Sequence, residues 1–119
     1  MAYELNTTDN YVYLNYSGTI DLEERKRAKQ EVLNLCYESN LNRSLVDLRN
    51  SNVQMSRTDV HNFAESFKLE TLPKNYRLAV LISLENQTED LLNVLIRLEG
   101  VLINYFFEYD EAENWLLAI

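Results

Sequence analysis

The sequence predicts one α/β domain: a five-stranded, mixed, mostly parallel sheet with an antiparallel N-terminal hairpin at its edge and four helices, in the order ββαβαβαβα. Three observations predict it. Apolar residues alternate at a period of two in the opening segments and then change to helical spacing. From there short apolar strands alternate with amphipathic segments, which implies right-handed crossovers onto a parallel sheet. Four helix starts place an oxygen-bearing residue three positions before an acid, in or close to a capping box: Asp21 to Glu24, Ser56 to Asp59, Asn86 to Glu89 and Asp110 to Glu113. A chain of 119 residues fits a single domain over residues 1–119, and its 2 glycines and 1 proline disfavour a sandwich with many tight glycine turns.

The elements follow in order. Tyr3 to Thr8 and Tyr11 to Ser17 alternate as two strands around a two-residue turn at Asp9 and Asn10, with Val12, Leu14 and Tyr16 on one face and Tyr11, Tyr13 and Asn15 on the other. After Gly18, residues Leu22, Ala28, Val32, Leu35 and Cys36 recur at helical spacing to about Ser39. Ser44 to Arg49 reads as a short strand, followed by a polar loop from Asn50 to Met55. A helix capped by Ser56 then carries Val60, Phe63, Ala64 and Phe67 at i, i+3, i+4 and i+7. The apolar run Arg77 to Ser83 reads as a strand covered on both faces. A third helix runs to Gly100, Leu102 to Tyr109 form the last strand, and Asp110 to Ile119 form the closing helix.

Charge and cysteine content exclude several classes. A net charge of -8 and a pI near 4.6 repel phosphate backbones and anionic membrane surfaces, so no nucleic-acid partner is expected. The start has neither a basic n-region nor an apolar h-region, and no window approaches the roughly 20 apolar residues that span a bilayer, so a cytoplasmic protein without membrane insertion is expected. With 1 cysteine and 1 histidine, no internal disulfide and no Cys/His zinc site can be assembled. Nothing isolates an acid/base pair, a phosphate loop or a nucleophile elbow, so the expectation is no enzyme, no cofactor and no metal. His61 lies one position off its helix's apolar stripe, Cys36 belongs to an apolar face, and the basic run Arg25 to Lys29 is read as satisfied by Glu23 and Glu24 at helical spacing.

Gly18 to Glu24, Leu45 to Arg49, Arg77 to Val80 and Phe107 to Leu116 together resemble the small SpoIIAA-like proteins of the STAS and CRAL-TRIO-like fold. The resemblance spans essentially the whole chain and implies a mixed sheet of about five strands wrapped by helices. In the STAS anti-sigma-factor antagonists, a strand ending in Asp-Leu leads to an acid and a phosphorylated serine pair at the start of the second helix. Counting from Asp47, Ser56 falls at the first serine of that pair. Met55 stands where the acid would be, Arg57 replaces the second serine, and the following glycines are missing. Ser56 is therefore read first as an N-cap and second as a phosphorylation site, with Ser51 and Thr58 as loop and first-turn residues.

Two features suggest a binding surface. In the third helix Leu91, Leu92, Val94, Leu95, Ile96 and Leu98 sweep an arc of about 200°, twice the stripe that one core face needs. Asn93 and Arg97 mark the wet side, which leaves Leu92 and Ile96 for a homodimer contact, an apolar ligand, a neighbouring helix, or a lid formed by Trp115. Tyrosine is in excess, 8 against 4 phenylalanines, and Tyr11 and Tyr13 suit an interface or the underside of a helix. The first expectation is an interaction or regulatory module acting on a protein partner or as a homodimer, through Asn50, Ser51, Asn52, Ser56, Arg57 and Thr58. The second is a carrier or sensor of a small apolar, lipid-like molecule held by Leu92, Leu95 and Ile96 with some of Phe63, Phe67, Tyr105 and Phe107.

Overall fold

The computed structural model describes residues 3–84 and 88–118. Strands β1 (Tyr3–Thr7) and β2 (Val12–Ile20) are followed by helix α1 (Leu22–Ser39), β3 (Arg43–Val53) and α2 (Arg57–Glu65). After a 3-10 turn at Leu69–Thr71 come β4 (Arg77–Leu81), α3 (Thr88–Leu98), β5 (Leu102–Phe106) and α4 (Tyr109–Leu117). The sheet order in space is the order in the chain, β1-β2-β3-β4-β5, with β1 antiparallel to β2 and every later pair parallel. This is the predicted α/β arrangement.

That order dictates where the helices lie. Each parallel crossover advances the sheet in the same direction, so right-handed connections place α1, α2 and α3 on one face. The other face is left for α4. Buried residues divide accordingly. The larger core joins Val12, Leu14, Tyr16, Val46, Leu78, Val80 and Ile103 of the sheet to Ala28 and Val32 of α1, Phe63 of α2, and Leu92 and Ile96 of α3. The smaller core joins Tyr11, Leu45, Ala79 and Leu81 to Ala112 and Leu116 of α4.

The helix ends follow the expected chemistry at two places. Asp21 Oδ1 accepts from Glu24 N at 2.9 Å, and Ser56 with Asp59 closes a reciprocal capping box. Helix α1 stops where Asn40 turns left-handed at φ 56° and Leu41 N reaches back to Cys36 O at 2.8 Å. The expected cap Asn86 lies outside the described residues.

Several boundaries differ from expectation. The first turn is built by Thr8, whose Oγ1 accepts from Asn10 N and Tyr11 N, both at 3.1 Å, so the loop is longer than Asp9 and Asn10 alone. Gly18 does not end β2: it takes φ 79° within the strand, just after the register slips between Asn15 and Ser17. Ser17 to Ile20 then pair with Asn50 to Val53, so the polar stretch expected as a loop is strand as far as Val53. Pairing has overridden the weak strand propensity of Asn and Ser. Helix α4 begins at Tyr109 after Glu108, without a side-chain cap, so Asp110 is a first-turn residue rather than the N-cap.

Candidate functional site

Open α/β sheets usually bind ligands where strand order reverses. This sheet never reverses, so the candidate is the space between the sheet and the three crossover helices. A cavity of about 40 Å³ lies there, walled mostly by apolar side chains of β2, β3, β4 and β5 with Phe63 and Ile96 from the helices and Phe67 from the segment after α2. That volume holds a few atoms and not an acyl chain.

One end of the cavity is charged. Arg25 of α1 is 5% exposed and Glu89 of α3 is 1% exposed. They form a bidentate pair, Nη1 to Oε2 at 2.7 Å and Nη2 to Oε1 at 2.6 Å. Tyr105 Oη donates to Glu89 Oε1 at 3.0 Å, and the Arg25 guanidinium lies 4.9 Å from the centre of the Phe63 ring. Burial alone would lower the Arg25 pKa, but the adjacent Glu89 charge raises it. Burial, reinforced by Glu89, raises the Tyr105 phenol as well. Arg25 is thus not satisfied by the glutamates of its own first turn, as the sequence suggested. Both charges fall in phase with apolar stripes, Arg25 three residues from Leu22 and from Ala28, Glu89 three from Leu92, and that phase is the signal that could have found them.

Lys29, Tyr16 and Tyr76 also line this space. Lys29 Nζ donates to Ser66 O at 2.8 Å and lies 4.8 Å from the Phe67 ring centre; burial, aided by Lys26 and Lys68, brings its pKa down to about 8. Tyr16 is 1% exposed, and its hydroxyl is buried with no hydrogen-bond partner among the described residues. Burial pushes that phenol's pKa up.

The opposite face carries Tyr11, Tyr13 and Tyr109. Tyr11 is buried beneath α4, where its Oη meets Tyr109 Oη and donates to Glu113 Oε2 at 2.7 Å. Tyr13 Oη donates to Asp47 Oδ2 at 3.1 Å, and Asp47 is also held by Arg49 at 2.9 Å. Burial would raise the Asp47 carboxyl, but the hydrogen bonds and charge of Arg49 hold it lower than usual. Burial and Asp47 push the Tyr13 phenol up to about 12. These tyrosines belong to the smaller core and its margin rather than to an outer surface.

Of the coverings weighed for the third helix, the structure provides the neighbouring helix, α2, which packs against it. Leu92 and Ile96 are core residues, Leu95 is half-buried, and the apolar excess emerges at the other edge, where Val94 is 54% and Leu98 77% exposed. Trp115 is no lid for this helix; it stacks near Phe106 and Arg77 on the α4 face. Phe107 is exposed and Leu92 and Leu95 stand outside the cavity wall, whereas Phe63, Phe67, Ile96 and Tyr105 line it.

No family model matches this chain, and no curated protein does. A solved structure of an uncharacterized protein from the DUF3478 family with a SpoIIAA-like fold, from Shewanella loihica PV-4, is similar over 97% of this chain and 92% of that one, at 17% identity and a TM-score of 0.59. The fold is SpoIIAA-like. At this identity the likeness concerns the fold alone.

In this SpoIIAA-like frame, the segment that drew attention in the sequence forms a polar ribbon. Strands β4 and β5 end at Leu81 and Phe106, while β2 and β3 continue as a pair to Ile20 and Val53. Asn50 and Asn52 are exposed, and Ser51 Oγ is turned back onto Leu48 O at 2.7 Å. The ribbon leads through Gln54 and the buried Met55 into Ser56, whose Oγ accepts from Asp59 N at 3.1 Å. Arg57 and Thr58 follow on the exposed first turn of α2. Ser56 thus fills the cap role first read for it. His61 is exposed and Cys36 is buried against Ser44, so the two are not brought together. Among the described residues, no group of three His, Cys, Asp or Glu side chains could hold a metal ion, and no helix is long and apolar enough to cross a membrane.

Proposed function

We propose that this chain is a non-enzymatic, STAS-like interaction module serving regulation, with the β2–β3 ribbon and the first turn of α2 as its contact surface. The observation that carries this reading is the ribbon itself. On its β4 side, β3 has no strand partner beyond Asp47 among the described residues, so the backbone of residues 48–53 forms a sheet edge. An edge of this kind takes an extended segment of another chain by adding its backbone as a strand. The side chains presented there by Asn50, Ser51 and Asn52 are uncharged. They would not repel an acidic or a basic partner. The partner is a protein segment of extended conformation, in preference to a second copy through α3.

The double substitution Asn50→Lys, Asn52→Lys tests this on two exposed positions without changing the core. Cross-linked affinity capture is compared for wild type and variant at matched thermal midpoints, with native mass spectrometry of each. The expected result is a partner held by the wild type and lost by the variant. Undiminished capture by the variant, or a homodimer that survives it, would overturn the assignment of the ribbon.

A further inference from the structure

We propose that Lys29, on the wall of the cavity beneath α1, α2 and α3, is a nucleophilic amine that captures a small aldehyde as an imine. The argument begins with what the ammonium lacks. Its two acceptors, Ser66 O at 2.8 Å and Ser66 Oγ at 2.7 Å, carry no formal charge. Among the described residues no carboxylate lies within ion-pair distance of Nζ, in a chain with 19 acidic residues. Glu89, buried on the same face of the sheet, is taken up by Arg25 and Tyr105. The charges that act on Lys29 are instead those of Lys26 on its own helix and Lys68 beyond α2, which disfavour a further positive charge.

A lysine held against apolar walls and beside other cations is the arrangement that turns an ammonium into a nucleophile. With its pKa brought down to about 8, roughly a fifth of Lys29 is neutral at pH 7.4, against about one part in a thousand of an ordinary lysine.

The surroundings suit attack on a carbonyl. Nζ lies 4.8 Å from the centre of the Phe67 ring and 6.0 Å from that of Phe63, and both rings line the cavity. In the neutral amine, Ser66 accepts from both N–H bonds, and the lone pair is the position it leaves free. Lys29 is half-buried, so an aldehyde can meet Nζ from solvent while its hydrocarbon body enters the space walled by Val32, Val80 and Ile96. That space of about 40 Å³ limits the aldehyde to roughly three or four non-hydrogen atoms. The Nζ lone pair bonds to the carbonyl carbon, the carbonyl π pair moves onto oxygen, and both amine hydrogens leave with that oxygen as water. Neither oxidant nor reductant is needed. Once protonated, the imine keeps one N–H to donate to Ser66.

The full chain at pH 7.4 is treated with propanal and sodium cyanoborohydride, which fixes an imine as a secondary amine, and alkylation is followed site by site with peptide mass spectrometry. Lys29 is expected to react at least about tenfold faster than Lys26, Lys68 and Lys74, its larger neutral fraction outweighing the weaker nucleophilicity of a less basic amine. Val80→Ile takes space from the cavity without touching Nζ or Ser66. It should slow alkylation of Lys29 by propanal about tenfold, the worth of one methylene in an apolar pocket, and leave alkylation by formaldehyde unchanged. Lys29 reacting no faster than the other lysines would overturn the proposal. So would a Val80→Ile variant that keeps the wild-type rate with propanal, or one that loses equally with both aldehydes, since the cavity would then play no part in choosing the aldehyde. The readout needs no protein partner and does not depend on the ribbon.

Discussion

Removing the Arg25 guanidinium is the sharpest perturbation the structure offers. In Arg25→Met the side chain keeps its length and apolar stem, while Glu89, 1% exposed, loses both of its short charge-assisted bonds and keeps, among the described residues, the Tyr105 hydroxyl at 3.0 Å. Breaking a buried pair from one side typically costs about 3 to 5 kcal/mol, because the remaining charge stays desolvated. For a domain of this size that corresponds to a fall in thermal midpoint of roughly 10 to 20 °C. The double variant Arg25→Met, Glu89→Leu removes both charges and should recover most of the loss, since apolar replacement of a buried pair is near neutral or better. Urea unfolding of wild type, both single variants and the double variant gives the coupling energy directly. A cost below about 1 kcal/mol for Arg25→Met would mean that the pair behaves like an exposed one and would refute the reasoning. So would a double variant no more stable than the singles.

Two further outcomes are expected. Ser56→Ala should lower stability by about 1 kcal/mol in urea unfolding, through loss of the bond from Asp59 N, with native circular dichroism retained. The Asp47 carboxyl has its folded pKa held below the ordinary aspartate value of 3.8, so its stabilisation is complete above that pH and is lost as the pH falls through the lower folded value; acid unfolding of Asp47→Asn should lack that part of the pH dependence, and an unchanged acid limb would contradict the Arg49 pairing.

The element order was legible because period and caps agree. Asp21 and Ser56 announce their helices, and each forms its bond. What escaped depends on contacts distant in sequence. Asn50 to Asn52 have little strand propensity, and only the presence of Ser17 to Thr19 alongside makes them strand. The breadth of the α3 arc was visible, but hydropathy does not say which edge faces inward; Glu89 in phase with Leu92 and Ile96 binds Arg25 across 64 residues and fixes the helix with those two leucine and isoleucine side chains inward. The orphan Tyr16 hydroxyl had no sequence signal, because any tyrosine on an inward strand face reads as core.

The sheet's unbroken chain order has a consequence for how the molecule is made. Every strand pairs with the one preceding it, so a chain emerging from the ribosome can extend the sheet at one edge, strand by strand, without threading or leaving a gap for later insertion. The face covered by α1, α2 and α3 fills progressively as each crossover is completed. The reverse face waits. Tyr11, Leu45, Ala79 and Leu81 stay open to solvent until the nine residues of α4 are synthesised, so that face of a nascent chain remains adhesive until α4 has followed β5 out.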